Sequence, residues 1–399
     1  MRILHVIPSV NPEAGGPAEG VRQWGTKVAS LGHSVEVVTL DAPGLPFLEQ
    51  FPLQVYALGP SGGHYGYNDR LVPWLQSNAA RYDSIVVNGI WQYHSFGVWR
   101  ALRTSRKPYY VFTHGMLDPW FRTNYPLKHL KKWLYWPWAD YRVLRDARAV
   151  LFTSEEERQQ ARKSFWLYRA NERVVAYGTS DPPQDSLHAL QSFYGQFPQL
   201  RERRFLLFLG RIHEKKGCDL LIRAFAEQAA KQSDLLLVMA GPDQTGWVGS
   251  LKESARRLGV SERIVWIGMA RGDLKWGAYH ACEAFVLPSH QENFGIAVVE
   301  ALACAKPVLI SNKVNIWREI EQDGAGIVAD DTLAGTCRLL EAWQALPASA
   351  RQTMGQNAAR SFRCRFTVDA MAESLIALFR EQEENASASV VATGNGGVR

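Results

Sequence analysis

The sequence predicts an α/β protein made of two doubly wound parallel-sheet domains. Three observations carry this. Short apolar runs alternate with amphipathic stretches along most of the chain. The runs are apolar at successive positions, as strands covered on both faces must be. The chain has 399 residues, too many for one ordinary core and suited to two.

The strand candidates of the first half are "RILHVIP", "SVEVVTL", "SIVVN", "YYVFTHG" and "AVLFTS". Those of the second half are "RFLLFLG", "LLLVMAG", "RIVWIGM", "EAFVLPS", "KPVLI" and "GIVA". Helical patterns such as "PAEGVRQWGTKVASLG" and "CDLLIRAFAEQAAKQ" lie between them. Strands separated by helices pair in parallel, so each half forms its own doubly wound sheet. Residues 178–203 hold a proline pair and a polar bias, which places the boundary there. The expected units are residues 1–178 and 179–366. A last helix over 367–383 is expected to cross back to the first unit. The small, Gly-rich residues 384–399 are expected to be a disordered tail.

Composition narrows the function classes. With 46% hydrophobic and 21% charged residues the chain reads as a soluble globular protein, without an apolar run of membrane-spanning length. The opening "MRILHVIPSV" reads as a first buried strand, since it lacks the cleavage-site pattern of a signal peptide. Five cysteines, none in a CxxC pair, point to reduced thiols in a cytosol rather than to a disulfide framework or zinc site. A net charge of +6 allows an anionic partner without naming one.

Open α/β sheets bind ligands at the carboxyl ends of their strands, so loops just after strands are the candidates. "FLGRIHEKKG" follows a strand and opens a helix, and it puts Gly210, Arg211 and Lys216 in one loop. Arg suits bidentate phosphate contacts and Lys acts as a point charge. The G-x-x-x-x-G-K-[ST] pattern is absent, which excludes a P-loop nucleotidase. "PSVNPEAGGPAEGV" follows the first strand; Gly15 and Gly16 allow close backbone approach and Pro17 suits a first helical turn. His114 stands at the end of "YYVFTHG", where a strand-end histidine is either structural or part of a site.

"SHQENFGIAVVE" carries two carboxylates, Glu292 and Glu300. Across a helix start their Cα atoms lie about 12 Å apart. Retaining glycosidases need about 5 Å between carboxyls and inverting ones about 6.5–9.5 Å, so the spacing argues against a hydrolase pair. Two contacts to separate parts of one long ligand fit better. Backbone N–H groups at Phe294, Gly295 and Ile296 form a helix N-terminus suited to phosphate. Glu292 can accept from sugar hydroxyls. Glu300 lies inside the helix and needs either a Lys or Arg partner or two vicinal ribose hydroxyls.

Taken together these pieces resemble the retaining family-4 glycosyltransferases of GT-B fold, of the bacterial exopolysaccharide and O-antigen type. The resemblance spans about Met1 to Glu383. It rests most on the E-x7-E of Glu292 and Glu300, with "GRIHEKKG" upstream, "HGMLDPW" and the Gly-Gly loop. It implies two Rossmann-like domains facing across a cleft. It also implies transfer of a hexose from a UDP or GDP sugar, with retention, to a glycan or lipid-diphosphate-linked saccharide acceptor. Glu300 would then bind the ribose, and Arg211 and Lys216 the diphosphate. Phe294–Ile296 and Gly16 would contact phosphate or sugar hydroxyls. Glu292 and His114 would hold the donor sugar, and Met269 would lie by the base. Gly15, Gly210 and Asn293 would line the same donor site. The family's Pro-Asn-Gly turn is replaced here by Ala176-Tyr177-Gly178-Thr179. No cofactor is implied, and Arg211 and Lys216 would stand where other transferases place a metal. A two-domain epimerase, a pyridoxal-phosphate phosphorylase and a non-catalytic nucleotide-sugar-binding protein are the rival readings.

The segment from Arg122 to Arg148 has seven basic residues against two acidic, a local net charge of +5, with Trp133, Tyr135, Trp136 and Trp138 among them. It fits either an interfacial helix on anionic lipid or a helix packing its aromatics inward. On the first reading Lys128, Lys131, Lys132, Trp133 and Trp136 meet the inner face of the cytoplasmic membrane. No nucleic-acid recognition motif is present.

Overall fold

The computed structural model describes residues 1–12, 15–105, 107–120, 122, 126–229 and 234–394. It divides into two units, Met1–Gly178 with Val368–Arg399, and Thr179–Thr367.

The first unit is built on seven strands: β1 (Arg2–Ile7), β2 (Ser34–Thr39), β3 (Gln54–Ala57), β4 (Ser84–Asn88), β5 (Tyr109–Phe112), β6 (Ala149–Phe152) and β7 (Glu172–Val174). Their order in the sheet is β3-β2-β1-β4-β5-β6-β7, and every pair is parallel. The order reverses between β1 and β4, so the carboxyl ends of these two strands flank the switch-point crevice. The central strands are buried along nearly their whole length because Ile3, Leu4, Val86, Val87, Val111 and Leu151 are covered on both faces. The helix Gly16–Ser30 lies against this sheet. Its Ala18, Val21, Trp24 and Val28 recur at helical spacing and are all buried.

Five of these strands follow the expected apolar runs. β3 and β7 do not, because both are sheet edges with partly exposed residues. "QVYA" and "ERV" carry polar side chains and have a single neighbour to satisfy, so no apolar run marks them.

The second unit carries β8 (Phe205–Leu209), β9 (Leu236–Ala240), β10 (Ile264–Gly268), β11 (Ala284–Leu287), β12 (Val308–Ser311) and β13 (Gly326–Ala329), in the order β10-β9-β8-β11-β12-β13. All six expected runs are strands, and all pairs are parallel. Here the switch point falls between β8 and β11.

The last helix runs Val368–Gly394, past Glu383, where it was expected to end, and into the expected disordered tail. "EENASASVVAT" holds no proline or glycine to stop it, and alanine and glutamate favour helix. Residues 395–399 of the expected tail lie outside the described residues. Among the described residues no helix is long and apolar enough to cross a membrane.

The basic, aromatic segment forms two helices, Pro126–Tyr135 and Asp140–Asp146. Two of its five expected membrane contacts are corrected. Trp136 is fully buried and stacks on Phe165, ring centroids 4.6 Å apart. Lys132 turns inward over the Trp91 ring at 4.5 Å, and burial pushes its ammonium down to about 8. Lys128, Lys131 and Trp133 are exposed.

Candidate active site

In the second unit Arg211 and Lys216 follow β8, and Glu292 to Ile296 follow β11. After β8 the chain enters the loop Gly210–Gly217, which ends in a single 3-10 turn, Glu214–Lys216. His213 starts this turn by accepting the Lys215 N–H on Nδ1 at 3.1 Å. Gly217 ends it at φ 64, where an added Cβ would lie 2.2 Å from the Pro288 carbonyl oxygen. A larger residue would therefore push the loop off β11. Two hydrogen bonds of 2.7 Å, from His290 N and Ser289 Oγ, both reach the Lys215 carbonyl and tie the two loops together.

That tie places Lys216 on Glu292. The Lys216 ammonium donates to Glu292 Oε2, with both side chains largely covered. Glu292 is held through its backbone as well, its N–H donating to Lys313 O at 2.9 Å and its carbonyl accepting from Asn315 N at 3.0 Å. Asn293 Oδ1 accepts from Asn315 Nδ2 at 3.3 Å, and buried Phe294 meets Phe366 edge-on. Arg211 is exposed and donates to Gln244 Oε1 at 3.2 Å. Lys216 thus pairs with a carboxylate of the site, while Arg211 reaches a neutral side chain.

Gly295 precedes the helix Ile296–Ala303 at φ 76, a conformation open to glycine and strained for other residues. No side chain caps this helix, so its first N–H groups present their partial positive charge beside Glu292 and Lys216.

Glu300 lies further along the same helix and is 6% exposed. The Lys or Arg partner anticipated from the sequence is present. Lys275 Nζ donates to Oε1 at 2.6 Å, and the Tyr279 hydroxyl lies 3.1 Å from Oε2. Burial and the adjacent carboxylate raise the Tyr279 phenol well above its ordinary value, so it stays protonated as a donor. A carboxylate has about four acceptor positions, so two donors leave room for a diol. The sequence reading missed Lys275 and Tyr279. Their signal was the i,i+4 spacing in "KWGAY", which puts both on one face of the helix Gly272–Ala281. Met269 follows β10 and is 48% exposed. Gly210 N–H donates to Ala240 O at 3.0 Å.

In the first unit His114 lies two residues after β5 at φ 47, stacked on Phe112 at 5.3 Å. Its Nε2 lies 3.3 Å from Asn88 Oδ1, and Asn88 Nδ2 lies 3.0 Å from His5 Nδ1. An amide oxygen accepts and an amide nitrogen donates, so the chain runs His114 Nε2–H to Asn88 to His5 Nδ1. His114 Nδ1 is then an acceptor. Burial pushes His114 down to about 4 and His5 down to about 3, so both rings are neutral near pH 7. Asn88 and His5 were not singled out from the sequence. Gly15 caps the helix Gly16–Ser30 at φ 91 with no side-chain hydrogen bond. Tyr177, in the departed linker turn, lies over this helix: a Cβ on Gly20 would be 2.0 Å from its hydroxyl oxygen.

Two doubly wound parallel sheets with these strand-end loops define the GT-B fold. Residues 195–360 match the family model "Glycosyl transferases group 1", and residues 15–178 match "Glycosyl transferase 4-like domain". Together the matches indicate a GT-B glycosyltransferase. The alpha-D-kanosaminyltransferase of Streptomyces kanamyceticus is 27% identical over 61% of this chain and 63% of its own length. The lipopolysaccharide core biosynthesis mannosyltransferase LpcC of Rhizobium leguminosarum bv. viciae is 26% identical over 58% of this chain and 70% of its own. The alignment thus spans less than two thirds of the kanosaminyltransferase. Among solved structures, Anabaena HepE in complex with UDP and glucose superposes with a TM-score of 0.75, at 20% identity, over 95% of this chain and 99% of its own.

Proposed function

We propose that the chain transfers a hexose from a UDP or GDP sugar to a saccharide or lipid-diphosphate-linked acceptor, with retention of configuration, in the synthesis of a bacterial surface polysaccharide. The observation that carries this is the Lys216–Glu292 pair beside the uncapped N-terminus of Ile296–Ala303, with Glu300 inside the same helix. A diphosphate leaving group gains charge as the glycosidic bond breaks. Lys216 and the helix N–H groups stabilise that charge, and Arg211 adds a second cation. Fixed cations make a metal unnecessary in this reading.

The remaining parts divide the donor between them. Glu300 keeps its Lys275 and Tyr279 donors and uses its open acceptor positions for the ribose diol. Glu292 takes sugar hydroxyls, and His114 Nδ1 accepts one more. The mannosyl and kanosaminyl transfers named for the relatives, and the glucose in HepE, support a hexose. LpcC supports the surface-polysaccharide setting.

The test is a melting panel with UDP, GDP, ADP and their sugar conjugates, with EDTA and then with magnesium. A nucleotide at a hundred times its dissociation constant adds about 2.7 kcal/mol, enough for a shift of a few degrees. One nucleotide diphosphate acting in EDTA is the expected result. Product analysis by NMR then reads the anomeric configuration. No shift with any nucleotide overturns the donor site, and epimer formation from donor alone overturns the transfer.

A further inference from the structure

We propose that the chain docks on an anionic membrane surface through an apolar platform formed by Leu127, Leu130, Leu134, Trp138, Trp166 and Leu167. Thirteen large hydrophobic side chains are exposed among the described residues, and seven of them lie between Leu127 and Leu167. Leu127 is 78% exposed and Trp138 68%. Exposed apolar residues scattered singly are ordinary, whereas a cluster marks an interaction site.

The helix Pro126–Tyr135 is turned inside out. Its polar and aromatic side faces the protein: His129 stacks on Phe165 at 5.0 Å, Lys132 covers Trp91, and the Tyr135 hydroxyl meets that of Tyr65. Leu127, Leu130 and Leu134, spaced i, i+3 and i+7, form its outer stripe, and none of the helix's residues is buried. The Trp133 ring lies 5.9 Å from that of Trp166, joining this stripe to the second apolar segment.

The occupant follows from charge. Arg122, Lys128, Lys131, Lys163 and Arg169 are exposed in the two segments. Residues 122–139 and 162–171 contain no Asp or Glu. Tryptophan and leucine among lysines and arginines match the interface of an anionic bilayer, where rings insert and cations meet headgroups. A second copy would bring the same positive charge to the same face. The platform includes Trp166 and Leu167, which the sequence reading did not single out, and excludes Trp136 and Lys132.

The experiment is flotation of the full chain with phosphatidylcholine vesicles, with and without about 30% phosphatidylglycerol. Binding to the anionic vesicles alone is expected. The double variant Leu130→Ser/Leu134→Ser should lower the partition coefficient about ten-fold, and Lys128→Ser/Lys131→Ser should lower it several-fold at low salt. All four side chains are exposed, so unchanged melting temperatures confirm folding. No flotation on anionic vesicles overturns the proposal, as does wild-type flotation by the leucine variant. A dimer in light scattering that the leucine variant dissociates, without vesicle binding, reassigns the face to a second copy. The nucleotide melting shift is read on the same variants, so loss of docking and loss of the transferase reading separate.

Discussion

The two units build their strand ends from different chemistry. In the first, His114, Asn88 and His5 form a neutral chain, with both imidazoles pushed to low pKa by burial. In the second, Lys216 with Glu292 and Lys275 with Glu300 are ion pairs. Neutral donors and acceptors suit hydroxyls. Paired charges suit a ligand that brings charge of its own and can exchange partners. One fold, used twice, thereby carries neutral hydrogen-bonding side chains at one set of strand ends and ion pairs at the other.

The strongest way to break this comparison is Lys216→Ala. Removing one fixed donor from a developing anion slows turnover by about 10²–10³-fold. Steady-state kinetics with saturating donor reads it, and a wild-type rate ends the assignment. Glu300→Ala should come next. It leaves Lys275 beside an uncompensated space, and a largely buried pair losing one member costs about 2–3 kcal/mol once the partial exposure of Lys275 is allowed for. Thermal melting shows the loss. Glu300→Gln, which keeps an acceptor for Tyr279, should recover part of it.

The neutral side is sharpened by pH. His5 and His94 are buried, and burial holds them down to about 3 and about 4. Between those values and the ordinary histidine range the unfolded chain binds more protons, so stability is retained above that range and lost as pH falls. Each contributes about 1 kcal/mol per pH unit in that window. Asp140 opposes them. Burial raises it to about 6, so its protonation in the folded chain favours folding as pH falls. With His114 held down to about 4 like His94, three histidines against one aspartate leave a net loss from pH 6 to 4, measurable by denaturant titration. His5→Gln should shallow the slope. The smallest effect concerns Glu292. Glu292→Gln releases Lys216, so UDP should bind a few-fold tighter while transfer slows. Calorimetry with UDP checks it, and weaker binding would show that Glu292 itself supports the nucleotide.

Much of this was legible in the chain. Strands covered on both faces read directly from their apolar runs, and the Gly15-Gly16 pair marked a turn, where Gly15 stands at φ 91. The edge strands β3 and β7 were silent because half-exposed strands carry no such run. Lys216 and Glu292 could be named from motif spacing, but not their ion pair, which depends on loops 76 residues apart meeting. Trp133 and Trp136 are three apart and would share a helical face. The helix ends at Tyr135, and the turn there sends Trp136 inward.

The helix Val368–Gly394 belongs to the first unit although the whole second unit precedes it in the chain. Its Phe379 meets Trp24 of the helix Gly16–Ser30 at 6.5 Å and Tyr110 of β5 at 4.7 Å. On the ribosome, strands β1 to β7 emerge first and then wait while residues 179–367 are made, about 10–40 s at ordinary elongation rates. During that interval Trp24 and Tyr110 lack their cover. Truncation ahead of residue 368 removes Phe379 and leaves these two rings without that contact.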